Sequence, residues 1–378
     1  MKSTIKLGRV GGVELGLHYS WLVIAALITV SLGMRFRFTN PDWSTAVVWV
    51  SAVITGILFF ACLFAHELAH AMVAKSRGLP IHRITLFLLG GMAQIEREAE
   101  DASTEFWVAI AGPAASVAVG FLCFAMAHWF FGWQAWTAPL VPGAAILVWL
   151  GYINLLLAAF NLIPGFPMDG GRVLRAIVWW ITGNGDKATT IAVRVGQVVG
   201  WLFIMWGVFR LFTGFGIGGL WLALIGWFII QAAAGTLMQT RVKSALGGMK
   251  VEDVMWRDCA RVDADLDVQS FVSSELMRGQ QRCFLVLDRG LVAGLISQAD
   301  IRKLNRDLWP RTPLRTVMRP LSRVEKVAPE MPLVEALEHM GRDESSELLA
   351  VSNGHLQGVI TRGAVLQVLQ TMSGLKAA

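Results

Sequence analysis

The sequence predicts a polytopic α-helical membrane protein, with about six transmembrane helices and a membrane-associated β-hairpin, followed by a soluble α/β module. Three observations predict it. The 378 residues are 55% hydrophobic and only 16% charged, with 16 Trp, a composition far from that of a soluble globular domain. Residues 15–34, 46–65, 106–168 and 211–240 contain no Asp, Glu, Lys or Arg, and each is long enough to cross a bilayer at least once as a helix. Charged residues return in strength after about residue 243, so residues 1–245 form the membrane part and residues 246–378 the soluble part.

The first span, residues 15–34, is too long for the apolar core of a secretory signal and lacks a small-residue cleavage site, so it reads as a retained helix. The second, residues 46–65, runs directly into His66, Glu67 and His70. The stretch HRITLFLLGGMAQIERE, residues 82–98, alternates weakly and breaks at Gly90 and Gly91, which is a strand or hairpin pattern. The 63 uncharged residues 106–168 hold two spans around a turn-like segment containing Pro139 and Pro142. Within them, the small residues Gly112, Ala114 and Ala115 suit close helix packing. DGGRVLRAIVWWI, from Asp169, reads as a short interfacial helix. Residues 189–209 and about 216–237 complete six spans.

With six spans the two ends share one side. That side carries Lys2, Lys6, Arg9, Lys75, Arg77, Arg83, Arg97, Arg172, Arg175, Lys187, Arg241, Lys243 and Lys250, against Arg35, Arg37 and Arg210 on the other. This bias places both termini and the soluble part in the cytoplasm. The net charge of +6 is therefore a matter of topology, and no nucleic-acid partner is implied. Arg194 belongs to neither loop set and is expected to snorkel to the cytoplasmic surface.

H-E-x-x-H is the pattern with specific chemistry. On a helix, His66 and His70 share a face and can hold one zinc ion, and Glu67 beside them can reach an activated water. Three protein ligands with one open position make a catalytic zinc site. Asp169, the first acid after the 63 uncharged residues, is the best candidate for the third ligand, because the second and fourth spans run in the same direction and end at similar depth. Cys62, one turn before His66, fits better as a small apolar residue than as a ligand. Cys123, Cys259 and Cys283 lack C-x-x-C spacing, and thiols on the cytoplasmic side are expected to be reduced. His18, His82 and His128 have no second ligand nearby in sequence.

The soluble part contains a repeat. VEDVM (251–255) recurs as LRTVM (314–318), and residues 282–304 align with 347–369. Each copy gives strand, turn, strand and helix, and neither can bury its sheet alone.

HELAH, LLGGMAQIERE, AGPAAS and NLIPGFPMDGG, in that order over roughly residues 1–240, resemble the site-2 protease family of intramembrane zinc metalloproteases. The resemblance implies one Zn2+ per chain on His66, His70 and Asp169, with Glu67 as general base and Asn161 helping to hold the oxyanion. A neutral amide donor eight residues before the ligand Asp suits that role, although Asn161 also fits as a helix terminator before Pro164. The family cuts a transmembrane segment of a membrane protein, often a single-span anti-sigma factor or a membrane-tethered transcription factor. Its hairpin lies near the cleft, where it can pair with an unwound substrate.

The repeat resembles a tandem pair of CBS domains, residues 246–312 and 313–378. Such pairs often bind ATP, ADP or AMP, through a Ser or Thr followed three residues later by Asp, and can also mediate homodimers. Ser297, Asp300 and Thr361 are the candidate nucleotide-binding residues: Ser297 and Asp300 keep that pattern, whereas Thr361 is followed by Ala364, so at most one good nucleotide site is expected. Ser297 and Thr361 equally fit as helix N-caps. A CBS-regulated membrane ion or metal transporter is the rival reading, but transport needs polar groups spread along a pathway, and here the acids cluster at one depth.

Overall fold

The computed structural model describes residues 5–87, 90–95, 99–137, 141–213, 217–276, 283–342 and 347–375. It forms two compact units, Met1–Met238 and Gln239–Ala378. The first comprises β1 Ile5–Val10, β2 Val13–Leu17, α1 Trp21–Thr39, α2 Thr45–Ser76, β3 Ile81–Phe87, β4 Gly90–Ile95, α3 Ala102–Phe131, α4 Pro142–Asn161, α5 Asp169–Thr182, α6 Gly185–Phe212 and the greater part of α7 Ile217–Leu246. Among the described residues, α1, α2, α3, α4, α6 and α7 are the six helices long and apolar enough to cross a membrane.

Local signals start these helices. Ser44 Oγ accepts from the Val47 amide at the head of α2, Asp101 from Thr104 at α3, and Asn184 from Lys187 at α6, while Pro142 opens α4. The second span does not stop at its histidines. Helix α2 continues six residues beyond His70 to Ser76, so the H-E-x-x-H segment is held rigid from both sides.

The first span differs from its expected position. Residues 13–17 form a strand, and α1 begins only at Trp21. Gly11 and Gly12, both at positive φ, make the two-residue turn that joins β1 to β2. Strand β2 then pairs in parallel with β3, and β3 in antiparallel fashion with β4, giving a four-stranded sheet in the order β1-β2-β3-β4. The hairpin expected over residues 82–98 is thus β3–β4, part of a larger sheet; residues 88, 89 and 96–98 lie outside the described residues. Glu14 sits opposite Arg83 and pairs with it and with Lys6 at 3.2 and 3.3 Å, which ties three strands together.

Helix α3 packs against α2, α4 and α5, and α5 packs against α6. Where the chain turns from α4 into α5, a Cβ on Gly171 would lie 2.3 Å from the Gly165 carbonyl carbon. The loop can fold back over the start of α5 only because that position is glycine.

The second unit holds two copies of one supersecondary motif. The first copy contains α8 Val251–Val254, β5 Ala260–Asp263, α9 Val268–Phe271, β6 Phe284–Asp288, β7 Leu291–Ile296 and α10 Gln298–Arg302. The second contains α11 Leu314–Val317, β8 Arg319–Pro320, β9 Lys326–Val327, α12 Leu333–Arg342, β10 Glu347–Ser352, β11 His355–Thr361 and α13 Arg362–Leu375. The hairpins β6–β7 and β10–β11 turn at equivalent positive-φ pairs, Arg289-Gly290 and Asn353-Gly354.

The copies are interlocked. β8 of the second copy adds to the sheet of the first, β5-β6-β7-β8, whereas Trp256 of the first bridges to Val359 in β11. Gly294 lies against Arg319 and Met318, and Gly358 against Trp256 and Met255, which explains why the V-M segment recurs. Leu285 and Leu295 meet Val324, Leu349 and Val359 in a shared core.

One expectation fails here. Cys259 and Cys283 form a disulfide with their Cα atoms 4.9 Å apart, in place of the reduced thiols expected. Register makes the pairing possible: β5 and β6 run parallel with Ala260 opposite Phe284, so the residues just before them are neighbours. Titration of the denatured, non-reduced chain should find two free thiols, Cys62 and Cys123, and four after reduction; four before reduction contradicts the bond. Closing a loop of this length constrains the unfolded chain by about 3.5 kcal/mol, so Cys259→Ser should lower the melting temperature of the second unit.

Candidate metal centre

His66 and His70, one helical turn apart on α2, are 3% and 7% exposed. Asp169 opens α5, where the positive end of the helix favours a carboxylate. The chain from α4 brings it to the histidines: Asp169 Oδ2 lies 3.2 Å from His66 Nε2 and 3.2 Å from His70 Nε2, and the two Nε2 atoms are 3.3 Å apart.

This triangle fits a metal. His70 Nδ1 is 2.6 Å from the Val108 carbonyl, which can only accept, so Nδ1 carries the proton and Nε2 presents a lone pair. That lone pair faces a carboxylate oxygen and a second ring nitrogen, an arrangement satisfied by a shared cation. Tetrahedral zinc with bonds of about 2.0–2.1 Å separates its ligands by about 3.3 Å. Among the described residues, His66, His70 and Asp169 are the group of three able to hold an ion. Cys62 is not in it.

Helix α3 supports the histidines from behind. Ser116 Oγ is 2.8 Å from His66 Nδ1, and the Val108 carbonyl holds His70. Between them, a Cβ on Gly112 would lie 2.2 Å from His70 Nε2 and 2.6 Å from His66 Nε2. AGPAAS is therefore more than a helix-packing motif, because Gly112 leaves room for the two imidazole nitrogens. Pattern reading of residue types misses this role, since Val108 contributes only its backbone and Gly112 only the lack of a side chain.

Glu67 is half-buried and within electrostatic reach of His66, His70, Asp169 and Arg172. Asn161, the last residue of α4, is not drawn into the cluster: its Nδ2 donates to the Leu157 carbonyl at 3.0 Å. In the second unit, Ser297 Oγ donates to Asp300 Oδ2 at 2.6 Å, and Arg319 Nε reaches the same oxygen at 3.2 Å while its other nitrogen pairs with Glu347. Thr361 Oγ1 accepts from the Ala364 amide at 3.1 Å. Thr361 thus acts as a helix N-cap, and Ser297 and Asp300 form a reciprocal pair at the start of α10.

Residues 54–142 and 143–203 match the Peptidase family M50 model, and residues 251–307 and 314–371 match the CBS domain model. A Synechocystis sp. relative named as a zinc metalloprotease is 37% identical over 98% of this chain and 97% of its own. Another, Rip3 of Mycobacterium tuberculosis, is 32% identical over 98% of this chain and 93% of its own. The solved site-2 protease from Methanocaldococcus jannaschii is similar at 28% identity and a TM-score of 0.42, over 62% of this chain and 94% of that one. The chain belongs to peptidase family M50, the site-2 proteases, as a multi-pass membrane zinc metalloprotease that ends in a tandem pair of CBS domains.

Proposed function

We propose that this protein carries out regulated intramembrane proteolysis, cutting the transmembrane segment of a single-span membrane protein such as an anti-sigma factor or a membrane-tethered transcription factor. One observation carries the reading: a donor triangle of 3.2 to 3.3 Å edges lies among helices long and apolar enough to cross lipid. His66 is ten residues from the end of α2, or about 15 Å along the helix. The surplus of Lys and Arg on the side where α2 ends supports a plasma-membrane protein with both termini and the CBS pair in the cytoplasm.

His66, His70 and Asp169 would hold zinc, which when bound would supply a Lewis acid to acidify water and polarise the scissile carbonyl. Ser116 and the Val108 carbonyl keep the two imidazoles aimed. Glu67 takes a proton from the attacking water as the oxygen adds to the carbonyl carbon, then returns it to the leaving nitrogen as the C–N bond breaks. Asn161 turns its amide from Leu157 toward the developing oxyanion. In the soluble unit, Ser297 and Asp300 form the single adenine-nucleotide position, with Arg319 beside them as a cation suited to phosphate; Thr361, followed by Ala364, lacks the acid for a second.

Glu67→Gln should retain one zinc per chain and lower cleavage of a reconstituted single-span substrate about 10²–10⁴-fold; undiminished cleavage contradicts the assignment. Gly112→Ala should leave the helices folded by circular dichroism yet reduce zinc to well below one per chain, whereas full zinc content would show that the site tolerates the added carbon. Calorimetry of the full chain in detergent should find one nucleotide among ATP, ADP and AMP that binds saturably and is lost in Asp300→Ala. No heat with any of them contradicts nucleotide regulation.

A further inference from the structure

We propose that Glu105 is a positioning residue for the third zinc ligand: through Arg172 and Arg175 it fixes α5 on α3, and so sets Asp169 against His66 and His70. This rests on Asp169 belonging to the ligand set, as read above.

Glu105 is an acid only 2% exposed, four residues into a helix that crosses the membrane. Such a charge is costly unless it is fully paired. Both partners come from α5. Arg172 donates from Nε to Glu105 Oε1 at 3.0 Å and from its terminal nitrogen to Oε2 at 3.3 Å, a two-pronged contact, and Arg175 reaches Oε1 at 3.3 Å. The Arg175 guanidinium also sits 5.4 Å from the centre of the Trp179 ring, which limits its freedom. A planar fork on a carboxylate restricts orientation as well as distance.

The placement of Glu105 gives the pairing its meaning. Glu105, Val108, Gly112 and Ser116 follow one another on α3 at intervals of three, four and four residues, and so lie on one face. That face meets both histidines and the helix that carries the third ligand: Ser116 holds His66, the Val108 carbonyl holds His70, Gly112 leaves room between them, and Glu105 grips the helix that begins at Asp169. The two histidines share α2 and would stay together without α3. Asp169 arrives on a different helix after the loop of residues 162–168, and the two arginines follow it by three and six residues. A rotation of α5 that carried Asp169 off the histidines would have to break both arginine contacts.

The test compares zinc affinity, measured by competition with a chelator, and the visible spectrum of the cobalt-substituted protein, in wild type, Glu105→Gln, Arg172→Lys and Asp169→Ala. Each variant is first checked for folding by circular dichroism and thermal melting. Glu105→Gln should weaken zinc binding about tenfold or more and alter the cobalt bands, which report ligand geometry. Arg172→Lys keeps the charge and loses the fork, and should give a smaller change of the same kind; it decides the matter if Glu105→Gln does not fold. Unchanged affinity and unchanged cobalt bands in folded variants overturn the proposal, even where the melting temperature falls, because Glu105 would then be a structural ion pair only. Unchanged affinity in Asp169→Ala would instead remove Asp169 from the ligand set, a different failure.

Discussion

Two imidazole nitrogens and one carboxylate oxygen meet at about hydrogen-bond spacing inside a bundle built to sit in lipid, and much of the membrane unit can be understood as meeting the demands of that contact. Facing lone pairs repel unless a cation lies between them. Each ligand must also be held from outside the triangle, because lipid offers no water to complete its hydrogen bonds. Helix α3 meets most of those demands on one face, with a hydroxyl, a carbonyl, a missing side chain and a carboxylate at successive turns.

The histidines and Asp169 were legible because their chemistry leaves a mark on residue type and spacing. H-E-x-x-H places two ligands on one face of a helix, and an acid after a long uncharged run stands out. The number of spans was legible for a similar reason, since charge-free runs are easily counted. Hydropathy misplaced the start of the first span because Leu15 and Leu17 are apolar whether they lie in a strand or a helix; the Gly11-Gly12 turn was the signal available, and it marks a hairpin. The α3 face was hidden for another reason. A backbone carbonyl and an absent Cβ carry no residue signature, and Glu105 is one acid at the head of a helix until Arg172 and Arg175 are seen folding onto it.

In the soluble unit, the repeat was readable as sequence, but its consequence was not. The V-M segments look like copies of one local motif, yet each packs on a glycine of the other copy, so the two halves share a cluster between their sheets beside a core of their own. Cys259 and Cys283 show the same limit: 24 residues apart, they become neighbours only through the parallel pairing of β5 and β6. Arg319 extends this interlocking to charge, joining Asp300 in the first copy to Glu347 in the second. A ligand that drew Arg319 or Asp300 toward itself would act on both copies at once.

The central claim is that two histidines and one aspartate hold a single zinc ion within the membrane unit. Zinc X-ray absorption of the purified protein tests it most directly. The account predicts a first shell of nitrogen and oxygen only, at about 2.0–2.1 Å, with the outer-shell signature of two imidazoles. A sulfur neighbour near about 2.3 Å, which would bring Cys62 into the site, or a shell without imidazole, would contradict it.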